Sequence, residues 1–400
     1  MFLSRRVLSA KPSATKEMTR LGNDLARQGR SIVSLSQGEP DFDTPRHVRE
    51  AGKAAIDGGK TRYTDVPGTR ELAEAICRKF ERENGLAFTP AQVTIGGGSK
   101  QVLYNALQAT VEEGDEVVIP TPVWVSYTEM VRLAGGTPVV VRCGAERGFK
   151  ITPRELEGAI TPRTKWLMLN SPNNPSGAEY SRDELAALGE VLLRHPHVWM
   201  MSDDIYEKIR YRETPFATMA AVVPQLAPRT LTINGVSKAY AMTGWRCGFG
   251  AGPAELIRAM NVVQSQSTSH TSSITQAAAI AALDGPMDFL PPFLAAYRRR
   301  RDRVVAALNA MEGIACEMPD GAFYAFPGCA ALLGRKTAAG KVIANDVDLC
   351  MHFLEEAGVA LVPGTAFELP GHFRVSYAAS DADLEEGMKR LADACRRLEA

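Results

Sequence analysis

The chain has 400 residues, 45% hydrophobic and 23% charged, ordinary values for a globular protein but too long for one small core. Lys+Arg and Asp+Glu both total 46, so no basic excess marks a nucleic-acid or membrane surface as the main partner. The 7 cysteines include no C-x-x-C pair, which argues against a zinc site or redox motif and fits a reducing compartment.

In chain order, Met1-Phe2-Leu3-Ser4-Arg5-Arg6 lacks the apolar h-region of a signal peptide, and no apolar run reaches membrane-spanning length. A soluble, cytoplasmic protein is therefore expected. Strands are predicted at 93–95, 116–119, 137–141, 165–170, 198–202, 230–234 and 246–251. They are nearly all apolar rather than alternating, as suits strands covered on both faces by helices. Between them, 101–112 and 181–195 carry apolar residues at helical spacing. The character changes after Gly285-Pro286. A long helix is predicted over 292–311, and Arg298–Arg301 within it reads as a solvated face. An exposed loop at 334–340 and short strands at 323–326, 359–362 and 373–377 are also expected. In the last helix Leu384, Met388, Leu391, Cys395 and Leu398 form a stripe that reads as core. The predicted fold is α/β. It comprises an arm (1–44), a large domain with a mostly parallel sheet between helices (45–285), and a smaller α+β domain (286–400).

Several motifs fall at predicted strand ends. Gly96-Gly97-Gly98-Ser99-Lys100 runs from a strand into a helix, where free N–H groups and the helix dipole favour an anion. A tight turn explains it equally well, and it matches neither the dinucleotide nor the Walker spacing. Asn170-Ser171-Pro172-Asn173-Asn174-Pro175-Ser176-Gly177 is a turn that also fixes Asn amides. Ser202-Asp203-Asp204-Ile205-Tyr206 reads by itself as a helix N-cap, and otherwise as a carboxylate partner for a protonated pyridine nitrogen. In Asn234-Gly235-Val236-Ser237-Lys238 a strand delivers one lysine, and Arg246 follows eight residues later. A lysine nucleophile near a phosphate-binding arginine is what a phosphorylated aldehyde cofactor requires. Arg374, mid-strand in Phe373-Arg374-Val375-Ser376-Tyr377, needs an anion, either a buried acid or a substrate carboxylate. Each motif is ambiguous alone, but their order along one chain is not.

Together with Gly38-Glu39-Pro40-Asp41-Phe42-Asp43-Thr44-Pro45, these motifs resemble the class I aminotransferases of pyridoxal-phosphate (PLP) fold type I. The similarity spans nearly the whole chain and is greatest to the bacterial aspartate and aspartate/prephenate branch. It implies a PLP enzyme in which Lys238 is the Schiff-base lysine and proton shuttle. Asp203 matches the ring-nitrogen partner, Tyr206 and Asn174 the donors to the ring oxygen, and Arg246 the phosphate arginine. Gly98, Ser99 and Lys100 match the phosphate cradle, with Ser237 adding a hydroxyl. Trp124 resembles the residue stacked on the cofactor ring. Arg374 matches the α-carboxylate clamp with Gly38 beside it, and Lys100 the cation for an acidic side chain. Tyr63 resembles a tyrosine that reaches the neighbouring subunit's cofactor, which implies a homodimer with shared sites.

The expected reaction is ping-pong amino transfer from aspartate to 2-oxoglutarate. Val123, Gln37 and His270 depart from the branch and bear on specificity. The alternatives are an aminotransferase for prephenate, aromatic or neutral substrates, and a β-elimination lyase using the same apparatus. A non-catalytic PLP-binding regulator is disfavoured because the ends leave no length for a helix-turn-helix. No metal or nucleic acid is expected.

Overall fold

The apolar runs between residues 93 and 251 assemble into one 7-stranded sheet in a computed structural model that describes residues 2–399. In spatial order its strands are Val93–Gly96, Gly248–Ala251, Thr230–Gly235, Trp199–Asp203, Thr164–Asn170, Glu116–Pro120 and Thr137–Val141. Neighbours run parallel except at Gly248–Ala251, which is antiparallel to both strands beside it. This is the mostly parallel α/β fold predicted. Side chains alternate between two buried faces, which is why the strands read as continuous apolar runs. Trp166 and Met168 pack with helices Ser99–Thr110 and Ala254–Ser265, whereas Leu167 and Leu169 pack with helix Arg182–Arg194. That last helix starts at a capping box, in which the Ser181 hydroxyl accepts from Glu184 N–H and the Glu184 carboxylate accepts from Ser181 N–H.

A separate core gathers the C-terminal third. It contains a 3-stranded antiparallel sheet of Val362–Pro363, Phe373–Ser376 and Tyr324–Ala325. Val33–Ser34 joins it by pairing in parallel with Val359–Ala360, so the chain passes from this core to the large sheet through residues 35–45. The stripe Leu384, Met388, Leu391, Cys395 and Leu398 is buried here, as its spacing predicts. None of the helices among the described residues is long and apolar enough to cross a membrane.

Three expectations are revised. The strand predicted at 246–251 begins at Gly248, because Arg246 has φ +58 and cannot continue an extended strand. The segment 359–362 splits between two sheets. The arginine run is not simply a solvated face. Four consecutive helical residues sweep all sides of the helix, and Arg300 points inward, where it pairs with Asp41 and Asp381 at 2.9 Å each. Arg301 lies over the Tyr211 ring, 4.5 Å from its centroid. Arg300 thereby ties the 35–45 segment to the C-terminal core, through a buried guanidinium and two carboxylates that stay partly open to solvent.

Candidate active site

Parallel register brings the carboxyl ends of the central strands to one edge of the sheet, the position where such folds bind ligands. Asn170 pairs with Asp203, and Asp203 with Ile233, two residues before Thr230–Gly235 ends and leads to Ser237 and Lys238. A cavity of about 630 Å³ opens over this edge. Asp203, Tyr206, Ser237 and Lys238 line its floor. Ser99, Lys100 and Arg246 line one end, Trp124 and Asn174 the sides, and Gly38 and Arg374 reach it from the two chain ends.

Asp203 is only 5% exposed. The Tyr127 hydroxyl donates to its Oδ2 at 2.5 Å and Ile205 N–H to its Oδ1 at 3.3 Å. No helix follows, so the N-cap reading of this motif does not describe the backbone. Burial pushes the carboxyl up to about 6, against the lowering effect of the Tyr127 hydrogen bond. Lys238 donates to the Gly38 carbonyl at 2.6 Å. Burial, with Arg374 adding repulsion, brings the amine down to about 8, so a neutral fraction exists near neutral pH.

At the far end, helix Ser99–Thr110 starts from Gly98, whose φ of +96 favours glycine. A Cβ there would run into the Arg246 guanidinium. Arg246 donates to the carbonyls of Thr243 at 2.9 Å and Gly97 at 2.8 Å, and the Ser99 hydroxyl donates to the Asn234 carbonyl at 2.9 Å. A helix N-terminus and a guanidinium whose hydrogen bonds go to carbonyl oxygens thus converge on one spot, an arrangement that suits an anion. Lys100 sits 4.7 Å over the Trp124 ring. Its ammonium is held below the ordinary lysine value, first by desolvation and then by repulsion from Lys16 and Arg246.

Arg374 is 1% exposed. Nη1 donates to Asn174 Oδ1 at 2.9 Å and Nη2 to the Ser36 carbonyl at 2.6 Å. Both are neutral oxygens, and Nε has no partner among the described residues. The rings of Tyr324 and Phe367 flank the guanidinium, 4.6 and 5.1 Å from its carbon. A buried cation satisfied only in this way lacks an anion, and it faces the cavity.

Not every expected residue lies on the cavity wall. Gly98 sits behind Arg246, and Tyr63 is 92% exposed elsewhere on the surface. Val123 is buried among core side chains, so it does not line the pocket, whereas Gln37 does. Sequence reasoning missed Tyr127 and Tyr324, whose hydroxyl is 2.8 Å from that of Tyr206. A tyrosine opening an apolar helix, or one in a short strand, carries no signal that separates it from core. It also missed helix Ala14–Arg27, whose Lys16, Thr19 and Arg20 form the rim.

The model of the aminotransferase class I and II family matches residues 30–391. An aspartate/prephenate aminotransferase of Cereibacter sphaeroides is 55% identical over 397 residues, 99% of each chain. An aspartate aminotransferase of Rhizobium meliloti is 55% identical over 374 residues, 94% of this chain and 91% of that one. Among solved structures, an aspartate aminotransferase from Rhizobium meliloti superposes with a TM-score of 0.97 at 52% identity, covering 100% of both chains. One from Thermus thermophilus with maleate gives 0.92 at 44% identity, covering 98% of this chain and 100% of that one.

Proposed function

This chain belongs to the class I and II aminotransferases, and we propose that it is a PLP-dependent, homodimeric enzyme that moves the α-amino group of aspartate to 2-oxoglutarate. The observation that carries the reading is the opposition of Lys238 and Arg374 across one cavity. One is a buried amine with a lowered pKa, the other a buried guanidinium without an acid.

The donor set fits the cofactor. The helix start at Gly98–Ser99, with Arg246, suits its phosphate. Asp203 suits a basic ring nitrogen, whose positive charge would hold the buried carboxylate ionised. Tyr206 and the amide nitrogen of Asn174 are the donors for its ring oxygen, Trp124 supplies a face for the ring, and the Ser237 hydroxyl stands near the cradle. When bound, PLP supplies an electron sink for charge developing at the substrate α-carbon. The remaining work belongs to the chain. Arg374 grips the α-carboxylate through parallel hydrogen bonds and so orients the α-carbon toward Lys238. Lys238, as the neutral amine, would take the α-proton onto Nζ and hold it beside the aldehyde carbon of the cofactor, where the proton is needed next. Tyr63 completes the site of a second copy, which makes the dimer the active unit.

Aspartate as donor is supported by the cations Lys100 and Lys16 at the rim, and by the maleate, itself a dicarboxylate, in the Thermus relative. A second reading, prephenate as an acceptor, is favoured by the cavity volume, ample for a ring, and by the name of the Cereibacter relative. Mixing the holoenzyme with single amino acids and following conversion of the cofactor spectrum tests the donor. Aspartate and glutamate are expected to react fastest. A clear preference for alanine or phenylalanine removes the dicarboxylate assignment, and pyruvate released from a cysteine conjugate without any 2-oxo acid makes the chain a lyase.

A further inference from the structure

Tyr63 is largely free of contacts, but one edge of it is occupied. The His270 imidazole meets its ring edge-on, with centroids 5.6 Å apart and planes at 88°. Both ring nitrogens of His270 are committed as well. Nδ1 lies 2.7 Å from the Thr271 carbonyl oxygen, an acceptor that demands the proton on Nδ1. Nε2 is then a lone pair, and Thr64 N–H donates to it at 3.3 Å. One imidazole thus holds the residue after Tyr63 by its backbone and Tyr63 itself by its ring.

Other contacts on this segment fix only the backbone around it or the side chain of Thr64. Ser273 Oγ donates to the Lys60 carbonyl at 2.8 Å, Gln276 Nε2 to Thr64 Oγ1 at 3.0 Å, and Gln264 Nε2 to the Val66 carbonyl at 2.7 Å. The base from which His270 acts is firm: Thr271 Oγ1 donates to the Arg246 carbonyl at 2.7 Å, and Gln101 Nε2 donates to Thr268 Oγ1. The stretch that bears His270 is therefore fastened to the anion cradle of its own chain.

We propose that His270 is a positioning residue that orients Tyr63 for the phosphate of the cofactor bound in a second copy of this chain. The proposal rests on the reading of Tyr63 given above. An exposed tyrosine samples several rotamers, and a hydroxyl that must meet a phosphate across an interface loses affinity for each alternative it has to abandon. Clamping the Thr64 amide and the Tyr63 ring from one side chain removes those alternatives before the cofactor arrives.

The test is the dissociation constant of PLP, measured by titrating it into stripped enzyme, in Tyr63→Phe, His270→Ala and the double variant. Tyr63→Phe is expected to weaken binding by about tenfold, the usual effect of losing a hydrogen bond to a charged group. His270→Ala should weaken it by roughly three- to tenfold, the range expected for losing pre-organisation. The double variant should bind no more weakly than Tyr63→Phe alone, because an orienting group has nothing left to orient. His270→Gln, which keeps an oxygen within reach of Thr64 N–H but lacks the ring, should recover part of the loss; it also serves if His270→Ala folds poorly. Losses that multiply in the double variant overturn the proposal, as does unchanged affinity in His270→Ala. Unchanged affinity in Tyr63→Phe means instead that Tyr63 does not meet the phosphate, and the proposal falls with that reading.

Discussion

Asp203 on the cavity floor is 5% exposed and accepts hydrogen bonds from Tyr127 and Ile205, whereas Lys100 on the rim is exposed and rests on one aromatic face. The same contrast separates Arg374, held by Asn174 and Ser36, from Lys16 and Arg20 on the helix above. Floor residues are over-determined by strand register and burial, so a change there disturbs the chemistry itself. Rim residues rest on one aromatic face, as Lys100 does, or on surface ion pairs such as Arg20 with Asp24, and on the proposed function a change there alters what enters. On the proposed function, the floor defines a reaction class and the rim selects among its substrates.

The contrast is tested most severely at Lys238. Lys238→Ala is expected to lower turnover by a factor on the order of 10⁴ or more, since on the proposed function it removes both the nucleophile and the proton carrier. Arginine should not rescue it, because guanidinium stays protonated. Borohydride reduction of the wild type should leave the cofactor on a peptide containing Lys238, and recovery of a different labelled lysine would dismantle the floor as described. Asp203→Asn comes next. It keeps the packing but removes the charge, and a loss of roughly a hundredfold in turnover is expected from the value of a buried ion pair. Near-normal rates would transfer the role to Asp204, whose buried carboxyl is itself pushed up to about 7 by desolvation.

How legible these two regions were follows from the same physics. Lys238, Asp203 and Arg246 lie within a few residues of strand ends, and strands buried on both faces announce themselves as apolar runs. Polar residues just past such runs therefore stand out. Tyr127 was invisible because its hydroxyl acts from a helix that otherwise reads as core. Lys16 was invisible because helix Ala14–Arg27 reaches the cavity only after the 33–34 strand docks on the C-terminal core, a contact between residues more than 300 apart. Arg300 was misread because a run of like charges says nothing about which member turns inward.

Arg374 and Lys100 separate floor from rim within substrate binding. Arg374→Lys loses the planar fork, and kcat/KM should fall by about ten- to a hundredfold for every donor, the value of one charged hydrogen bond. Lys100→Ala should lower kcat/KM for aspartate and glutamate by roughly tenfold while sparing phenylalanine and alanine. Equal losses for all donors in Lys100→Ala would assign that lysine to the cradle instead of the substrate.

The smallest effect expected is at Tyr127, and it is read from pH rather than rate. In protein stripped of cofactor, the Asp203 carboxyl titrates at about 6 against an ordinary value of 3.8, with burial as the first cause. The folded state therefore binds a proton between pH 4 and 6 that the unfolded chain has already released. By linkage, stability falls as pH rises through that window and levels off above it. Tyr127 opposes this shift by donating to Oδ2. Removing that donor in Tyr127→Phe should raise the carboxyl further, by about one pH unit, so the falling limb extends above pH 6. Wild type and variant should differ by a constant amount near pH 5 and diverge by a further 1.4 kcal/mol or so by pH 8. Urea unfolding of stripped protein at pH 5 and pH 8 measures the divergence. A gap of the same size at both pH values would mean that the phenol only fills space beside Asp203, leaving Ile205 N–H as the sole hydrogen-bond donor holding that carboxylate.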